Sequence, residues 1–243
     1  MTTAIRKPAS TEAGERRTPL SRQLILRGAL EYVDEHGLES LSMHKLAASL
    51  GIRAMSLYKH VESKDDLLGG IVELMWSEVP ADHATDDWRK VIRQIAESLR
   101  DLVHRHPKAA SLLTTRQSLL EHPLLICQSA LKAMRDAGVP EECAVTLLRV
   151  VFPYGIGYAL AELSLPAAPE SPCGDIALVR KVVEVLPSHC SDDLVRTALL
   201  ICGDCNLADQ FHVGVDLMLR GLTAYMDSLP AKGPIAADGG LQC

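Results

Sequence analysis

Basic and hydrogen-bonding side chains crowd one short stretch near the amino end of this 243-residue chain. Lysine and arginine neutralise phosphates, and hydroxyl groups donate to the sugar–phosphate backbone. An arginine fork also matches the two acceptor atoms that guanine presents in the major groove. At helical spacing, these residue types predict a surface that contacts DNA. Its members are Arg53, Ala54, Met55, Ser56, Tyr58, Lys59, His60 and Lys64.

The surrounding stretch, residues 38–68, predicts the helices that must position this surface. Ser42 can cap a first short helix, and Gly51 suits the left-handed turn that ends it. Leu57 and Val61, four positions apart, form the inward face of a second helix. This pattern is a helix-turn-helix whose second helix lies in a DNA groove. Ser42 and His44, at the start of the first helix, complete the predicted DNA-binding set.

The plain alternative is a helical hairpin that only packs. The outward cluster of tyrosine, lysine and histidine weighs against it. Ser63 followed by Asp66 also forms a capping box for the next helix.

A set of linked positions in this stretch resembles the N-terminal domain of tetracycline-repressor (TetR) family regulators. The set is Leu46-Ala47, Leu50-Gly51-Ile52, Ser56-Leu57-Tyr58, His60-Val61, Lys64 and Leu67-Leu68. The resemblance covers roughly residues 20–78. It implies an all-helical homodimer with a three-helix DNA-binding head and a larger helical body that binds a small effector. Position 53 departs from the family, which often has a small capping residue there, and we interpret Arg53 as the source of an individual base preference.

Composition and charge agree with this interpretation. Hydrophobic residues make up 47% of the chain and aromatic residues 4%, mostly with a 3.6-residue period, so the predicted fold class is all-α. The net charge of −6 is uneven: residues 1–64 hold ten Lys/Arg and seven Asp/Glu, a net of +3, which leaves −9 for the rest. A basic head on an acidic body is the asymmetry expected of a protein that contacts DNA at one end.

The sequence predicts a cytoplasmic protein that does not enter membranes. The first 19 residues lack an apolar core typical of a signal peptide. The longest uncharged apolar run, residues 150–161, is too short to span a bilayer. Seven scattered cysteines suit a reducing compartment.

The predicted organisation has four parts. Residues 1–19 form a flexible basic arm, with or without a role on DNA, and residues 20–68 the helix-turn-helix domain. A connecting helix at 67–79 leads into an effector-binding and dimerisation domain at 80–229, and residues 230–243 form a disordered tail. Within the body we predict helices from Asp86 or Asp87 to His106, and at 108–119, 123–136, 141–165, 175–187, 191–203 and 206–229.

Stripes of small residues on two of these helices predict a dimer interface, because small residues let helix backbones approach closely. The alternative is that the stripes pack inside one chain. The predicted interface residues are Gly155, Ala159, Gly214, Met218, Gly221 and Tyr225.

Polar residues between Trp88 and Leu165 are the candidates for orienting an effector in an apolar pocket. They are His104, Thr115, Arg116, Gln128, Tyr154, Tyr158 and Glu162. The tetracycline repressor binds its drug and metal through polar positions. On a rough alignment these positions correspond mainly to apolar residues here, among them Ile95, Leu99 and Leu112. Tetracycline and a magnesium chelate are therefore not predicted.

Cys202 and Cys205 form a CxxC pair that leaves a second function open. Such a pair can bind zinc or cycle as a dithiol, with His189, Cys190 and His212 as the nearest further ligands. No second CxxC exists, so we predict no metal and no cofactor. A helical enzyme with a vestigial head is the other alternative, but no catalytic motif is visible. The predicted function is a regulator, most often a repressor, that an effector releases from a double-stranded operator.

Overall fold

The computed structural model describes residues 20–115, 120–164, 184, 190–202 and 207–228. These residues are helical and contain no strand, which confirms the predicted all-α class. The amino-terminal helices are α1 (Arg22–His36), α2 (Met43–Ser49), α3 (Ala54–Leu57) and α4 (Lys64–Trp76), with a 3₁₀ turn at Leu38–Ser40. The body contains α5 (Trp88–Arg105), α6 (Leu112–Thr115), α7 (Glu121–Asp136), α8 (Glu141–Ser164), α9 (Asp192–Cys202) and α10 (Leu207–Ser228).

Local capping sets the ends of the short helices in the head. The Ser42 hydroxyl accepts a hydrogen bond from the Lys45 N–H at 3.2 Å, as predicted. Gly51 has φ +65°, a conformation that glycine adopts without steric penalty. Across this turn the Ile52 N–H donates to the Ala47 carbonyl at 2.9 Å, the closing bond of a Schellman turn. The turn sends the chain directly into α3.

Helix α4 belongs to the core of the head and to the core of the body. The Ser63 hydroxyl accepts from the Asp66 N–H at 3.0 Å, so the helix begins at Lys64. It ends at Trp76, whereas the sequence suggested residues 67–79 for the connecting helix. Its inward residues belong to one buried cluster, in which α4 contacts α1 in the head and α6 and α7 in the body. A Cβ added at Gly70 would lie 2.5 Å from Leu26 Cδ2, so α1 and α4 are in close contact there.

Helices α5 and α8 form the centre of the body. The Asp87 side chain caps α5 by accepting from the Arg89 N–H at 3.0 Å, as one of two predicted caps. Gly155 of α8 lies against α5, where an added Cβ would meet the Leu99 Cβ at 3.0 Å. The backbones of the two helices therefore approach closely, and the leucine and isoleucine side chains around this point are buried.

Two helix predictions need correction or fall outside the described residues. The predicted helix at 108–119 is wrong in its first half, because residues after Pro107 form turns and α6 begins only at Leu112. The predicted helix at 175–187 lies outside the described residues except Glu184.

By length and composition α8 could cross a membrane, and 44% of its most apolar window is buried in the body.

Adjacent glycines of α4 give a matched stability test. Gly69→Ala should stabilise the protein by up to ~1 kcal/mol, because alanine favours a helix and nothing lies within 4 Å of the new Cβ. Gly70→Ala should be less stable than the wild type, because the new Cβ displaces the buried Leu26 side chain and this cost exceeds the gain in helix propensity. Urea unfolding of the two variants measures the difference, and equal stabilities would contradict the close α1–α4 contact.

Candidate DNA-binding surface and effector region

Helix α3 is held by one buried side and presents the other side to solvent. Leu57 and Val61 are fully buried, as predicted, but the helix ends at Leu57, so Val61 lies in the segment after it and not on the helix as predicted. The Met55 side chain is 75% exposed and that of Tyr58 49%, which is unusual for large apolar groups. An exposed methionine and tyrosine on a rigidly packed helix suit contact with another macromolecule.

The remaining residues of the predicted DNA-binding set are all accessible to some degree. The exposed ones are His44, Arg53, Lys59 and Lys64, and the half-buried ones are Ser42, Ala54, Ser56 and His60. Arg53 precedes α3 in an extended conformation and makes no side-chain cap, so its guanidinium is not used to begin the helix. The Ser42 hydroxyl accepts in its cap and keeps its own proton to donate.

An arginine fork that sequence reasoning missed fixes α3 between α1 and α4. The Arg22 guanidinium donates to both carboxylate oxygens of Asp66, at 2.8 and 2.7 Å. The same guanidinium donates to the His60 carbonyl at 3.1 Å, just after α3. Asp66 also accepts from the Glu62 N–H at 2.9 Å. Hydrogen bonds from Arg22, and then from the Glu62 backbone, lower the pKa of Asp66 to about 2.

Four of the predicted effector-binding residues lie together at the α5–α8 seam. His104 Nε2 is 2.7 Å from Glu162 Oε2. The Tyr154 and Tyr158 rings are 5.4 Å apart between centroids, and both contact Phe211 of α10. The Tyr154 hydroxyl donates to the Phe211 carbonyl at 3.0 Å. Burial, and then the negative charge nearby, raises the pKa of Tyr154 to about 12.

Two further residues complete this group and were not predicted. Arg100 donates to both oxygens of Glu162 at 2.8 Å and stands over the Phe211 ring at 5.3 Å. The Glu162 side chain is only 6% exposed. Burial raises the pKa of Glu162, but the hydrogen bonds from Arg100 and His104 outweigh burial and leave it below its usual value. Arg100, His104, Tyr154, Tyr158, Glu162 and Phe211 are called the seam cluster below.

The other predicted effector residues lie elsewhere. Thr115 is exposed at the end of α6 and donates its hydroxyl proton to the Ser111 carbonyl at 2.9 Å. Gln128 is exposed on α7 and lines a separate open groove of about 870 Å³ next to Ala81 and Asp82. Arg116 lies outside the described residues. The described part of the chain therefore does not bring the predicted effector residues together in one pocket.

The predicted dimer residues divide into an inward and an outward group. Gly155 and Ala159 are buried inside the chain, where Gly155 packs on α5, so assigning them to a subunit interface is wrong. Gly214 packs on the Tyr154 ring, and Met218 is half-buried against the core of the same chain. A small-residue stripe permits close approach but does not say which helix approaches.

Gly221 and Tyr225 remain exposed on α10. They share this outer side with Val213 and Leu217, and Leu217 is 64% exposed. Helix α8 likewise presents apolar or small residues to solvent. These are Val150, Pro153, Gly157 and Ala161. Together these residues of α8 and α10 are called the outer apolar face.

Family models match both parts of the chain that these geometries define. The model described as bacterial regulatory proteins, tetR family, matches residues 25–71. The model of the tetracycline repressor-like C-terminal domain matches residues 79–226, more than half of the chain. The chain belongs to the TetR family. It has the head-and-body organisation of that family, as the resemblance implied.

Individual TetR-family relatives agree. The chain is 30% identical over 146 residues to the HTH-type transcriptional repressor DrrR1 of Streptomyces coeruleorubidus, covering 59% of this chain and 54% of the relative. It is 26% identical to the class D tetracycline repressor of Escherichia coli, covering 86% and 92%. The chain spans only about half to three fifths of the first three curated relatives.

A solved TetR-family structure has the same fold. Apo ActR from Streptomyces coelicolor superposes with a TM-score of 0.66 at 25% identity, covering 86% of this chain and 97% of ActR. ActR has also been solved in complex with actinorhodin.

The predicted CxxC pair, Cys202 and Cys205, lies largely outside the described residues. The Cys205 residue and the Cys202 side chain lie outside the described part of the chain, as does His189. His212 lies 3.4 Å from Glu97 through Nδ1. Among the described residues, no three His, Cys, Asp or Glu side chains are grouped to hold a metal.

The Arg22–Asp66 fork predicts an acid-dependent loss of stability. A carboxylate whose pKa is lowered on folding stabilises the protein above the unfolded pKa, near 3.8, and this contribution disappears as the pH falls towards 2. Asp66→Asn should therefore reduce the free energy of unfolding by about 1–2 kcal/mol at pH 7, allowing for solvent screening at Arg22. The difference from wild type should shrink between pH 4 and pH 2. Urea unfolding at pH 7, 4 and 2.5 measures it.

Arg22→Lys keeps the charge but removes the fork, and it should reproduce most of the loss at pH 7. Arg27→Lys, at an exposed position of the same helix, is the matched control and should change little. A wild-type stability advantage over Asp66→Asn that stayed constant down to pH 2.5 would contradict the assigned pKa.

Proposed function

We propose that the chain is a homodimeric transcriptional repressor that binds an operator duplex with its two heads and leaves it when a small molecule binds to the body. The observation that carries the DNA-binding part is α3, which is anchored by a fully buried leucine while Met55 and Tyr58 stand in solvent. Two heads are needed because one helix-turn-helix reads too few base pairs for useful specificity. Relatives named as repressors support the direction of regulation.

The DNA contacts follow from the chemistry of each accessible side chain. Tyr58, Lys59 and Lys64 contact phosphates and fix the register of the head on the duplex. Arg53 reads a base edge because it is exposed at the start of α3 and its side chain does not cap the helix. Ser42 and His44 contact the backbone from the start of α2. The remaining members of the predicted set, which are Ala54, Met55, Ser56 and His60, line the same surface.

We place the effector at the seam cluster. Its two tyrosines, its phenylalanine and its largely buried carboxylate combine apolar surface with a few polar groups, which is the composition usual for small-molecule sites. The complex of ActR with actinorhodin, a neighbour of the same fold, supports a small-molecule ligand for the body. The chain acts in the cytoplasm and is a regulator, not an enzyme, as its relatives' names support.

Binding to duplex DNA from the region upstream of the chain's own gene tests the proposal, measured by fluorescence anisotropy over a range of salt concentrations. Lys64→Ala should weaken binding to all sequences alike and reduce the log–log salt slope by about 1. Arg53→Ala should instead lower preference at one base pair, costing ~1–3 kcal/mol there. Lys132→Ala, on exposed α7, is the control and should leave both quantities unchanged. An equal loss on every sequence for Arg53→Ala would make it only a phosphate contact.

The outer apolar face gives the test of dimerisation. Leu217→Glu places a charge on this face and should convert the dimer to a monomer, seen as a halved mass in sedimentation equilibrium. Operator affinity should fall with it, since two linked heads bind more tightly than one. Leu200→Glu is the matched control, because Leu200 of α9 is 70% exposed and lies outside the outer apolar face. A dimer that survives Leu217→Glu but not Leu200→Glu would place the interface on α9.

A further inference from the structure

A histidine at the carboxyl end of α5 lies between two carboxylates that belong to different parts of the molecule. His106 Nδ1 is 2.7 Å from Asp34 Oδ2, on the head helix α1. His106 Nε2 is 3.1 Å from Glu78 Oε1, two residues after the end of α4. The imidazole is only 13% exposed. One side chain of the body thus joins the head to the end of the connecting helix.

Of the two carboxylates, Asp34 depends more on His106 for its hydrogen bonding. Asp34 Oδ1 is buried and has no hydrogen-bond partner among the described residues, so within that part of the chain the imidazole is the hydrogen-bond partner of this carboxylate. Glu78 has a second partner, since Arg105 lies 2.6 Å from its Oε2. Lys108 donates to the Glu35 carbonyl at 2.7 Å beside it. A cleft of about 380 Å³ at this point is also lined by Arg27, Leu30, Glu31, Leu74 and Ser77.

Hydrogen-bond chemistry makes the arrangement depend on a proton. An ionised carboxylate only accepts, and a neutral imidazole has a single N–H to donate. Neutral His106 can therefore donate a hydrogen bond to Asp34 or to Glu78, but not to both. Its unprotonated nitrogen then faces the oxygen of the other carboxylate, and the two lone pairs repel each other. The imidazolium donates to both. Histidine is the side chain whose charge ordinarily changes between pH 5 and 8.

We propose that His106 is a proton-dependent latch that holds the DNA-binding head against the body. Protonated, it bonds Asp34 and Glu78 together; neutral, it releases one of them, and the head is held less tightly. The charged groups around the cleft are three of each sign, namely Arg27, Arg105 and Lys108, and Glu31, Asp34 and Glu78. A role for this pH response in regulation rests on the proposed function. The pH-dependent attachment of the head to the body does not rest on it.

Amide hydrogen exchange in the full-length protein at pH 6 and pH 8 tests the latch. Rates are converted to protection factors, which removes the intrinsic effect of pH on exchange. Protection of the carboxyl half of α1, residues 30–36, should fall about tenfold in the wild type between pH 6 and pH 8, the size of one lost charged hydrogen bond. His106→Gln should show the low protection at both pH values. His36→Gln, which changes an exposed histidine of the same helix, should behave as the wild type.

Protection in the wild type that is equal at both pH values would overturn the proposal, as would an undiminished pH response in His106→Gln. If His106→Gln does not fold, Asp34→Asn replaces it; this isostere keeps the volume, and its pH response should also be lost. A retained response in Asp34→Asn would overturn the latch equally. Wild-type binding to the upstream duplex at pH 6 is measured in parallel. A response of the protection factors without DNA binding would leave the latch standing and remove the proposed function.

Discussion

The parallel pairing of α1 with α4 is the constraint on which the head depends. Contacts between the two helices recur at a constant offset: Arg22 meets Asp66, Leu26 covers Gly70, and Asp34 is bridged to Glu78. Each pair is 44 positions apart in sequence. The Arg22–Asp66 ion pair therefore fixes one end of the pairing, the Gly70 contact its middle, and the bridge through His106 its other end. Arg22 also donates to the His60 carbonyl just after α3, so this register helps to fix the direction of the outward side chains of α3.

Helix α4 is also closely packed along its inward side. Its inward residues Leu67, Ile71 and Met75 are fully buried, and the Trp76 ring stacks on Phe152 of α8 at 6.1 Å. A close-packed interface shifts between discrete arrangements and does not deform continuously. A displacement of α8 must therefore either break the tryptophan contact or carry the end of α4 with it.

Local features of the sequence predicted local structure well. Ser42, Gly51 and Ser63 act on backbone groups within a few residues, so their roles follow from residue type and spacing, and the TetR-like stretch around them identified the family. Pairs far apart in the chain carry no such signal. Arg22 and Asp66 gain meaning only when α1 and α4 are side by side. The small residues Gly155 and Ala159 were recognised as a close-packing stripe, but composition does not distinguish a neighbouring helix of the same chain from one of a partner.

The last turn of α5 links the seam cluster to the head, through residues that follow one another along the helix. Arg100 and His104 hold Glu162 of α8, while the next two residues, Arg105 and His106, hold Glu78. A ligand that took over the partners of Glu162 would remove these polar contacts between α5 and α8, next to the residues that hold Glu78 at the end of α4. Adjacency alone does not establish coupling, because coupling requires an element with two arrangements that both sites bias. The end of α5 makes its contacts to α8 and to the head through neighbouring side chains, and the two bonding states proposed for His106 would supply the two arrangements.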